Sequence, residues 1–475
     1  MDTTRKVIVV GGGPAGLAAA LQSAEQGCDV ELVDSAPRPG GQYYRHLPET
    51  MAARRPQALH HEFAPGAELM RQVHQHPRIR TRFSCTVWAA RREADDSVEL
   101  HLLEDADRWI RVLAATVVLT PGAYDRALPF PGWDLPGVMT PGGAQALLKG
   151  QYVLAGRRVV VAGTGPFLLP VAAGLVEAGA TVLGVYDANV PTGWARHPWT
   201  VSTNVAKLAE GCDYIRVLHR AKVPVHFGRA VTRASGADAV TAVTVSRLDR
   251  QWRIRPGADK LVEVDTVCVG WGFTPNVELA LALGLETVVE PRDGSLVVRT
   301  DASGATSHPS VFAAGEIAGV GGSSLAVIEG HLAGLAAACR IGHLTEERRM
   351  SASRPLLRRR ARQRRFAAAL LEVYPVRQGW MSWLEPDTVL CRCEEITVGQ
   401  VRTGVLELGA SDLRSLKLLT RVGMGMCQGR VCGYAAACLL RGETGAPLRD
   451  PATLSIRPLV VPVPLGMLAG GSQPQ

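Results

Sequence analysis

The chain has 475 residues, 47% of them hydrophobic and 20% charged, and carries a formal net charge of +8. That length is too great for one hydrophobic core and predicts about three domains, while the composition excludes a disordered or collagen-like chain. The charge is uneven: Arg354, Arg358, Arg359, Arg360, Arg362, Arg364 and Arg365 crowd one segment, without the aromatic or groove-reading elements that nucleic-acid binding needs.

The first predicted element is an apolar strand from Val7 to Val10, running into Gly11-x-Gly13-Pro14-Ala15-Gly16 and an alanine-rich helix. Arg5 and Lys6 before this run resemble the start of a signal peptide, but the glycine spacing and the lack of a cleavage site favour a nucleotide-binding strand and helix. Gly11 permits the tight turn, Gly13 lets a pyrophosphate approach the backbone, and Gly16 allows close helix–strand packing. The helix N-terminus then offers N–H groups and a positive dipole to phosphate. Asp34, 23 residues after Gly11 and ending the strand Val30–Asp34, is placed for a ribose hydroxyl and disfavours a 2′-phosphate.

Two further words favour FAD over NAD. Pro39-Gly40-Gly41-Gln42 lies where a flavin must be threaded past the backbone, and Ala314-Gly315-Glu316 returns an acid that could meet the ribityl chain. Between them come strands around Val98–Leu103 and Trp109–Leu113, then V-V-L-T-P-G-A-Y-D-R, which contains Gly122 and ends at Arg126.

At Val159 the chain repeats itself with an offset of 152 residues, so that Gly11, Gly13 and Pro14 fall on Gly163, Gly165 and Pro166. This second strand–turn–helix–strand unit closes near Thr266–Gly272 and predicts a second dinucleotide fold inserted in the first. It reads as degenerate. Leu168 replaces the third glycine, and the position equivalent to Asp34 holds Tyr186, with Asp187 one residue late. A second nucleotide site at Gly163 and Gly165 is therefore expected to bind NAD(P)H poorly or another nucleotide instead. The apolar run from Val159 to Val176 reaches membrane-span length, but Gly163, Gly165, Pro166 and Pro170 assign it to this fold, and no transmembrane segment is predicted.

The last third is read as an Arg-rich helical linker, a solvated or partner-facing helix, followed by a cysteine domain. Cys391 and Cys393 form C-x-C, and Cys427 and Cys432 form C-x-x-x-x-C, with 33 residues between the pairs. Four thiolates from two loops suit a [2Fe–2S] cluster. Structural zinc favours C-x-x-C knuckles, and inert core cysteines do not gather in glycine-rich words, so both alternatives fit less well. Gly423, Gly425, Gly429 and Gly433 leave backbone N–H groups free to reach sulfur. Cys28, Cys85, Cys212, Cys268, Cys339 and Cys438 are isolated and read as core residues. Reduced thiols and a cluster predict a cytoplasmic protein, or one peripheral to the inner membrane. No C-x-x-C redox pair, H-E-x-x-H or Ser/His/Asp set is found.

The predicted fold is α/β: two nested Rossmann-like dinucleotide-binding domains of the FAD/NAD(P)-linked reductase type plus a small helical [2Fe–2S] domain. The expected segments are 1–150 and 271–345 for FAD, 151–270 for the inserted fold, 346–387 for the linker, 388–450 for the cysteine domain and 451–475 for an extended Pro-rich tail.

The motifs G-G-G-P-A-G, P-G-G-Q, G-F-T-P-N, A-A-G-E-I-A-G, C-R-C-E-E, C-Q-G-R-V-C-G and P-V-P-L-G, in this order, resemble the larger flavoprotein subunit of bacterial heteromeric amino-acid dehydrogenases. That group includes opine oxidases, dye-linked hydroxyproline and proline dehydrogenases, and hydrogen cyanide synthase. The C-terminal part is similar to the bacterioferritin-associated-ferredoxin (BFD) type, with a longer final cysteine spacing. The resemblance implies that Gly11, Gly13, Gly16, Asp34, Gly41, Gln42, Gly315 and Glu316 form the FAD site and that the four cysteines ligate the cluster. It further implies a second flavoprotein subunit of the D-amino-acid-oxidase type, a small ferredoxin-like subunit, an amine substrate, and FMN at a subunit interface or ATP in a nucleotide site as alternative occupants. The function so implied is oxidation of a C–N bond in an amino acid, opine or related amine, with electrons relayed from flavin through the cluster. The alternatives are an NAD(P)H-dependent reductase of a ferredoxin-like partner and a non-catalytic scaffold subunit.

Overall fold

The computed structural model describes residues 6–48, 63–257, 259–447, 457–470 and 473–474. Its first sheet is built of five parallel strands in the spatial order Val311–Ala313, Thr116–Leu119, Lys6–Val10, Asp29–Val33, Ile79–Arg82. Such a sheet is covered on both faces, and Val311–Ala313, Thr116–Leu119 and Lys6–Val10 are accordingly almost continuous apolar runs, whereas the edge strand Ile79–Arg82 is polar. One cover is made by the helices Pro14–Glu25 and Ser323–Arg340, whose small residues allow close packing: a Cβ on Gly330 would overlap the Ala15 carbonyl oxygen. The antiparallel strands Cys85–Arg92, Val98–Glu104 and Arg108–Ala114 cover the other side.

The second sheet repeats the plan with Val225–Phe227, Thr181–Asp187, Arg158–Gly163, Thr266–Gly270 and Val138–Met139, all parallel, and its own antiparallel layer of Arg229–Ser235, Ala242–Arg247 and Lys260–Glu263. The chain crosses between the folds twice, and the crossings pair with each other as the antiparallel strands Ala123–Asp125 and Phe273–Pro275. The expected crossing at residue 150 is too late. Val138–Met139 already pairs with Val267 and Cys268, and Thr140 caps the next helix, Pro141–Gln151, by accepting from Gly143 N–H. A two-residue edge strand has no periodicity by which sequence could place it.

The linker is a 28-residue helix, Glu346–Val373, with Thr345 as its N-cap. It is not simply a solvated helix. Arg360 and Arg364 turn inward onto the buried Glu329, with Arg360 Nε and Arg364 Nε each 2.8 Å from Oε1. Beyond the helix, Trp380 and Trp383 are buried, and Trp383 packs on Trp252 and Trp271 and donates to the Trp252 carbonyl at 2.7 Å. The cysteine domain is a short β-pair, Val389–Cys391 with Ile396–Thr397, and three helices, Val398–Leu406, Leu413–Thr420 and Gly433–Thr444. Its docking on the nested folds is polar and aromatic. The Arg126 guanidinium, 2% exposed, lies 4.2 Å over the Tyr434 ring, and Tyr434 donates to the Asp293 carbonyl at 3.0 Å.

The tail is only partly extended. Val460 is buried and donates its N–H to the Trp88 carbonyl at 2.8 Å, and a short helix, Leu465–Gly470, follows. Residues 448–456, where the sequence places the end of the cysteine domain and the start of the tail, lie outside the described residues. Among the described residues no helix is long and apolar enough to cross a membrane.

Candidate functional site

The three glycines of the first motif have separate jobs. Gly11 has a φ of +109°, and a Cβ there would overlap the Thr120 carbonyl oxygen. Thr120 fixes this turn by donating its hydroxyl to the Val10 and Gly11 carbonyls, both at 2.9 Å. A Cβ on Gly16 would overlap the Gly11 carbonyl. A Cβ on Gly13, by contrast, would meet only Gly41 Cα, at 3.9 Å. No protein atom requires glycine at 13, so the space beside it is a cradle for a ligand at the N-terminus of Pro14–Glu25, where Pro14 sits in the first turn.

The other expected residues surround the same cavity, of about 2140 Å³, which Gly11, Gly13, Ala15, Asp34, Gly41, Gln42, Gly122 and Glu316 all line. Asp34 accepts from Gly12 N–H and from Ala36 N–H at 2.6 Å, and burial pushes its carboxyl above the usual range. Glu316 is likewise raised by burial and accepts from Gly322 N–H at 2.8 Å. Gly315 must lack a side chain because a Cβ would stand 2.9 Å from Ala15 Cβ. Gly122 has a φ of +77° and opens to the cavity. His331 binds Gln22 at 3.0 Å and plays a structural part.

Gly165 lines the same cavity, as does Thr164 beside Gly163, with differences from the first site. Leu168 is buried, and the helix begins at Leu168 rather than two residues earlier at Pro166, as the first copy would dictate. The acid that the sequence places one residue late comes into register. A bulge leaves Leu183 unpaired, so that Asp187 reaches the register of Gly163. Asp187 then accepts from Gly165 N–H at 3.1 Å and from Asn189 N–H at 2.9 Å, and burial lifts its carboxyl to about 7. Tyr374 lies against Gly165, and Phe167 leans on Phe273 with ring centroids 5.1 Å apart, so the site is walled by aromatic groups.

The cysteines form two pairs. Cys391 and Cys432 are buried and within hydrogen-bond reach of each other; Cys393 and Cys427 form the second pair. The Cys391 thiol is drawn down to about 5 by Cys432 and by the N–H groups of Gly423, Glu394 and Cys393. A Cβ on Gly425 would overlap Cys393 Cβ, which explains that glycine. Among the described residues no three His, Cys, Asp or Glu side chains gather as a single-ion site. Paired thiolates instead suit two irons, each needing two protein ligands.

The quartet borders the dinucleotide cavity. Cys427, Arg430 and Val431 line it, as do Tyr124 and Arg126. Arg430 joins the parts: it lies 3.1 Å from the buried Glu278 and donates to the Val460 carbonyl at 2.7 Å and the Cys427 carbonyl at 3.4 Å. Sequence reasoning missed Arg430, Thr120 and Lys149. Lys149 lines the cavity with no acidic partner among the described residues, and burial lowers its ammonium to about 8. Only Thr120 and Arg430 had a signal, since both fall inside words already singled out.

Residues 5–342 match the pyridine nucleotide-disulphide oxidoreductase family, and residues 389–441 match the BFD-like [2Fe–2S] binding domain. The chain is 34% identical to hydrogen cyanide synthase subunit HcnB of Pseudomonas aeruginosa over 445 residues, covering 92% of this chain and 93% of that one. It is 31% identical to an opine oxidase subunit of Agrobacterium tumefaciens, covering 98% and 91%. Among solved structures, L-proline dehydrogenase from P. horikoshii shares the fold, with a TM-score of 0.67, 19% identity and coverage of 98% of this chain and 79% of that one. With its nested parallel sheets and its C-terminal cysteine domain, the chain belongs to the pyridine nucleotide-disulphide oxidoreductase family, as an FAD-type oxidoreductase chain joined to a BFD-like [2Fe–2S] domain.

Proposed function

We propose that this chain is the flavin and iron–sulfur subunit of a heteromeric dehydrogenase that oxidises the C–N bond of an amino acid, opine or related amine. The observation that carries the proposal is the single cavity bordered at one end by the glycine cradle at Gly13 and elsewhere by Cys427 of the quartet. FAD fits the first site by the cradle and by Asp34 and Glu316, and a cluster would be held by Cys391, Cys393, Cys427 and Cys432. When bound, a flavin accepts two electrons and a [2Fe–2S] cluster passes them on singly.

The protein's own residues position and tune. The backbone N–H groups at the start of Pro14–Glu25 bind phosphate, Thr120 holds the turn, and Asp34 takes a ribose hydroxyl. Arg430, paired with the buried Glu278, ties together the wall shared by cavity and quartet through the Cys427 and Val460 carbonyls. Tyr124 stays protonated, since burial pushes its phenol up. The identity of both relatives as subunits supports a heteromeric assembly. Trp199, 83% exposed beside exposed Val205 and Leu208, offers apolar surface for it. The test is purification with its genetic neighbours, flavin and iron analysis, and a screen of amines with an artificial acceptor. Colourless protein without flavin or iron would overturn the proposal.

Asp187 favours a second reading, an NAD(P)H-dependent reductase, because an acid in that register is what a dinucleotide ribose requires. Leu168 and the aromatic wall at Tyr374 weigh against it. Anaerobic NADH or NADPH bleaching the flavin within seconds would establish it.

A further inference from the structure

The quartet has two sides: Cys427 lines the dinucleotide cavity, while Cys393 is exposed to solvent. Electrons that arrive by the first side need a surface at the second. Gly425 packs on Cys393, so the next residue, Met426, stands beside it, and Met426 is 82% exposed. An exposed methionine is an adaptable apolar contact. From this point a stripe runs along the helix Leu413–Thr420. Arg421, its C-cap, binds Glu394 of the Cys393 loop at 2.8 Å, and Leu418 and Arg414 follow at helical spacing, with Leu418 62% exposed.

The stripe is basic. Arg414 has no ion pair among the described residues, and Lys417 lies close enough to Arg414 and Arg457 for both to oppose its charge. Arg457 is held on the Gly423 carbonyl and adds a third cation to this group. The neighbouring acids do not cancel these three: Glu394 and Arg421 neutralise each other, Asp412 is occupied as the helix N-cap, and Glu395 is the one exposed acid on the loop. An apolar centre with a like-charged rim is the form of a short-lived electron-transfer surface, where charge steers the encounter and the small apolar patch allows release.

We propose that Met426 and Leu418, rimmed by Arg414, Lys417 and Arg457, form the docking face for a small, acidic, one-electron carrier protein that discharges the quartet through its Cys393 side. The inference rests on the relay reading above and adds the exit and the partner's charge. The step moves one electron from the reduced cluster to the oxidised carrier; no bond to carbon forms or breaks, and no proton moves.

The test uses the purified heteromeric complex, an acidic blue-copper carrier (plastocyanin) as probe, and a basic cytochrome c as counter-probe. The variant is R414E/K417E, with M426A beside it. Dithionite-reduced complex, freed of excess reductant, is mixed anaerobically with each oxidised probe, and plastocyanin affinity is measured separately on a sensor surface. The wild type should reduce plastocyanin at a rate that falls with salt. R414E/K417E should lose about tenfold in both rate and affinity while keeping its flavin and iron content, and should reduce cytochrome c faster. M426A should lower affinity with an unchanged salt slope. Equal plastocyanin rates and affinities in wild type and R414E/K417E would overturn the proposal. So would a complex in which Lys417 is shielded from acylation, since that assigns the face to the dehydrogenase partner. Absence of a cluster with charge-dependent plastocyanin binding intact would overturn the relay reading and leave the docking face standing.

Discussion

Asp187 accepts the N–H of Gly165 at 3.1 Å, one residue further along its turn than the Gly12 N–H that Asp34 accepts in the first fold, since Gly165 is the counterpart of Gly13. Each carboxylate also takes the N–H two residues further on, at Ala36 and Asn189. The two sites are therefore alike in the acid, and differ in which turn N–H it takes, at the third glycine and in the aromatic wall.

Asp187 makes stability depend on pH. Burial holds its folded carboxyl at about 7, above the ordinary carboxylate value of 3.8. Between these values the unfolded chain has released a proton that the folded chain keeps, so folded stability falls as pH rises through this window and is level above it. The loss is at most about 4 kcal/mol for about three pKa units. D187N cannot ionise. Its thermal midpoint, relative to wild type, should be at least about 2 °C higher at pH 8 than at pH 5. Scanning calorimetry at the two pH values checks this, and an unchanged difference would contradict it.

Gly13 and Gly16 should separate ligand from fold. G13A adds a methyl group to space that the protein does not use, so the apoprotein should melt as wild type does while flavin content falls at least tenfold. G16A drives a methyl group into the Gly11 carbonyl and should cost about 1–3 kcal/mol in the apoprotein as well. Flavin absorbance and apoprotein melting, measured on both variants, distinguish the two effects.

Much of this was legible because the chemistry is local in sequence. The strand–turn–helix at Gly11–Gly16 is one continuous word, and each cysteine pair is another. Asp187 was visible only as an acid one residue late; that it comes into register was not legible, since a single unpaired residue, Leu183, makes the shift and only the paired strand reveals it. The inward turn of Arg360 and Arg364 was hidden because charge runs usually face solvent. Their partner Glu329 lies 31 and 35 residues away on another helix, and no spacing rule links them. Lys149 gave no signal either, because its burial depends on how the two folds meet.

Glu329 should anchor the linker helix. E329A leaves Arg360 and Arg364 facing a buried void and should cost about 3–5 kcal/mol locally. R364A should cost less, since Arg360 still reaches the carboxylate. Limited proteolysis should cut within residues 346–373 much faster in E329A than in wild type, with R364A between them. Equal cleavage rates would show that the tryptophans beyond the helix suffice to hold it.

The cysteines should divide by position. C393S should lose the iron signal while retaining flavin, whereas C438S, further along the helix that Cys432 caps and outside the quartet, should retain both. Iron analysis and electron paramagnetic resonance of reduced protein decide this, and cluster loss in C438S with retention in C393S would contradict the assigned ligands.

The central claim is that electrons pass from the dinucleotide cavity to the quartet across the wall at Cys427 and Arg430. Its most direct test is anaerobic mixing of the purified complex with a substrate amine, following flavin absorbance and the cluster's paramagnetic signal in the same time course. The relay predicts that flavin is reduced first and that the cluster signal then rises, more slowly in R430Q than in wild type. Flavin reduction that leaves the cluster oxidised in the wild type through many turnovers would contradict it.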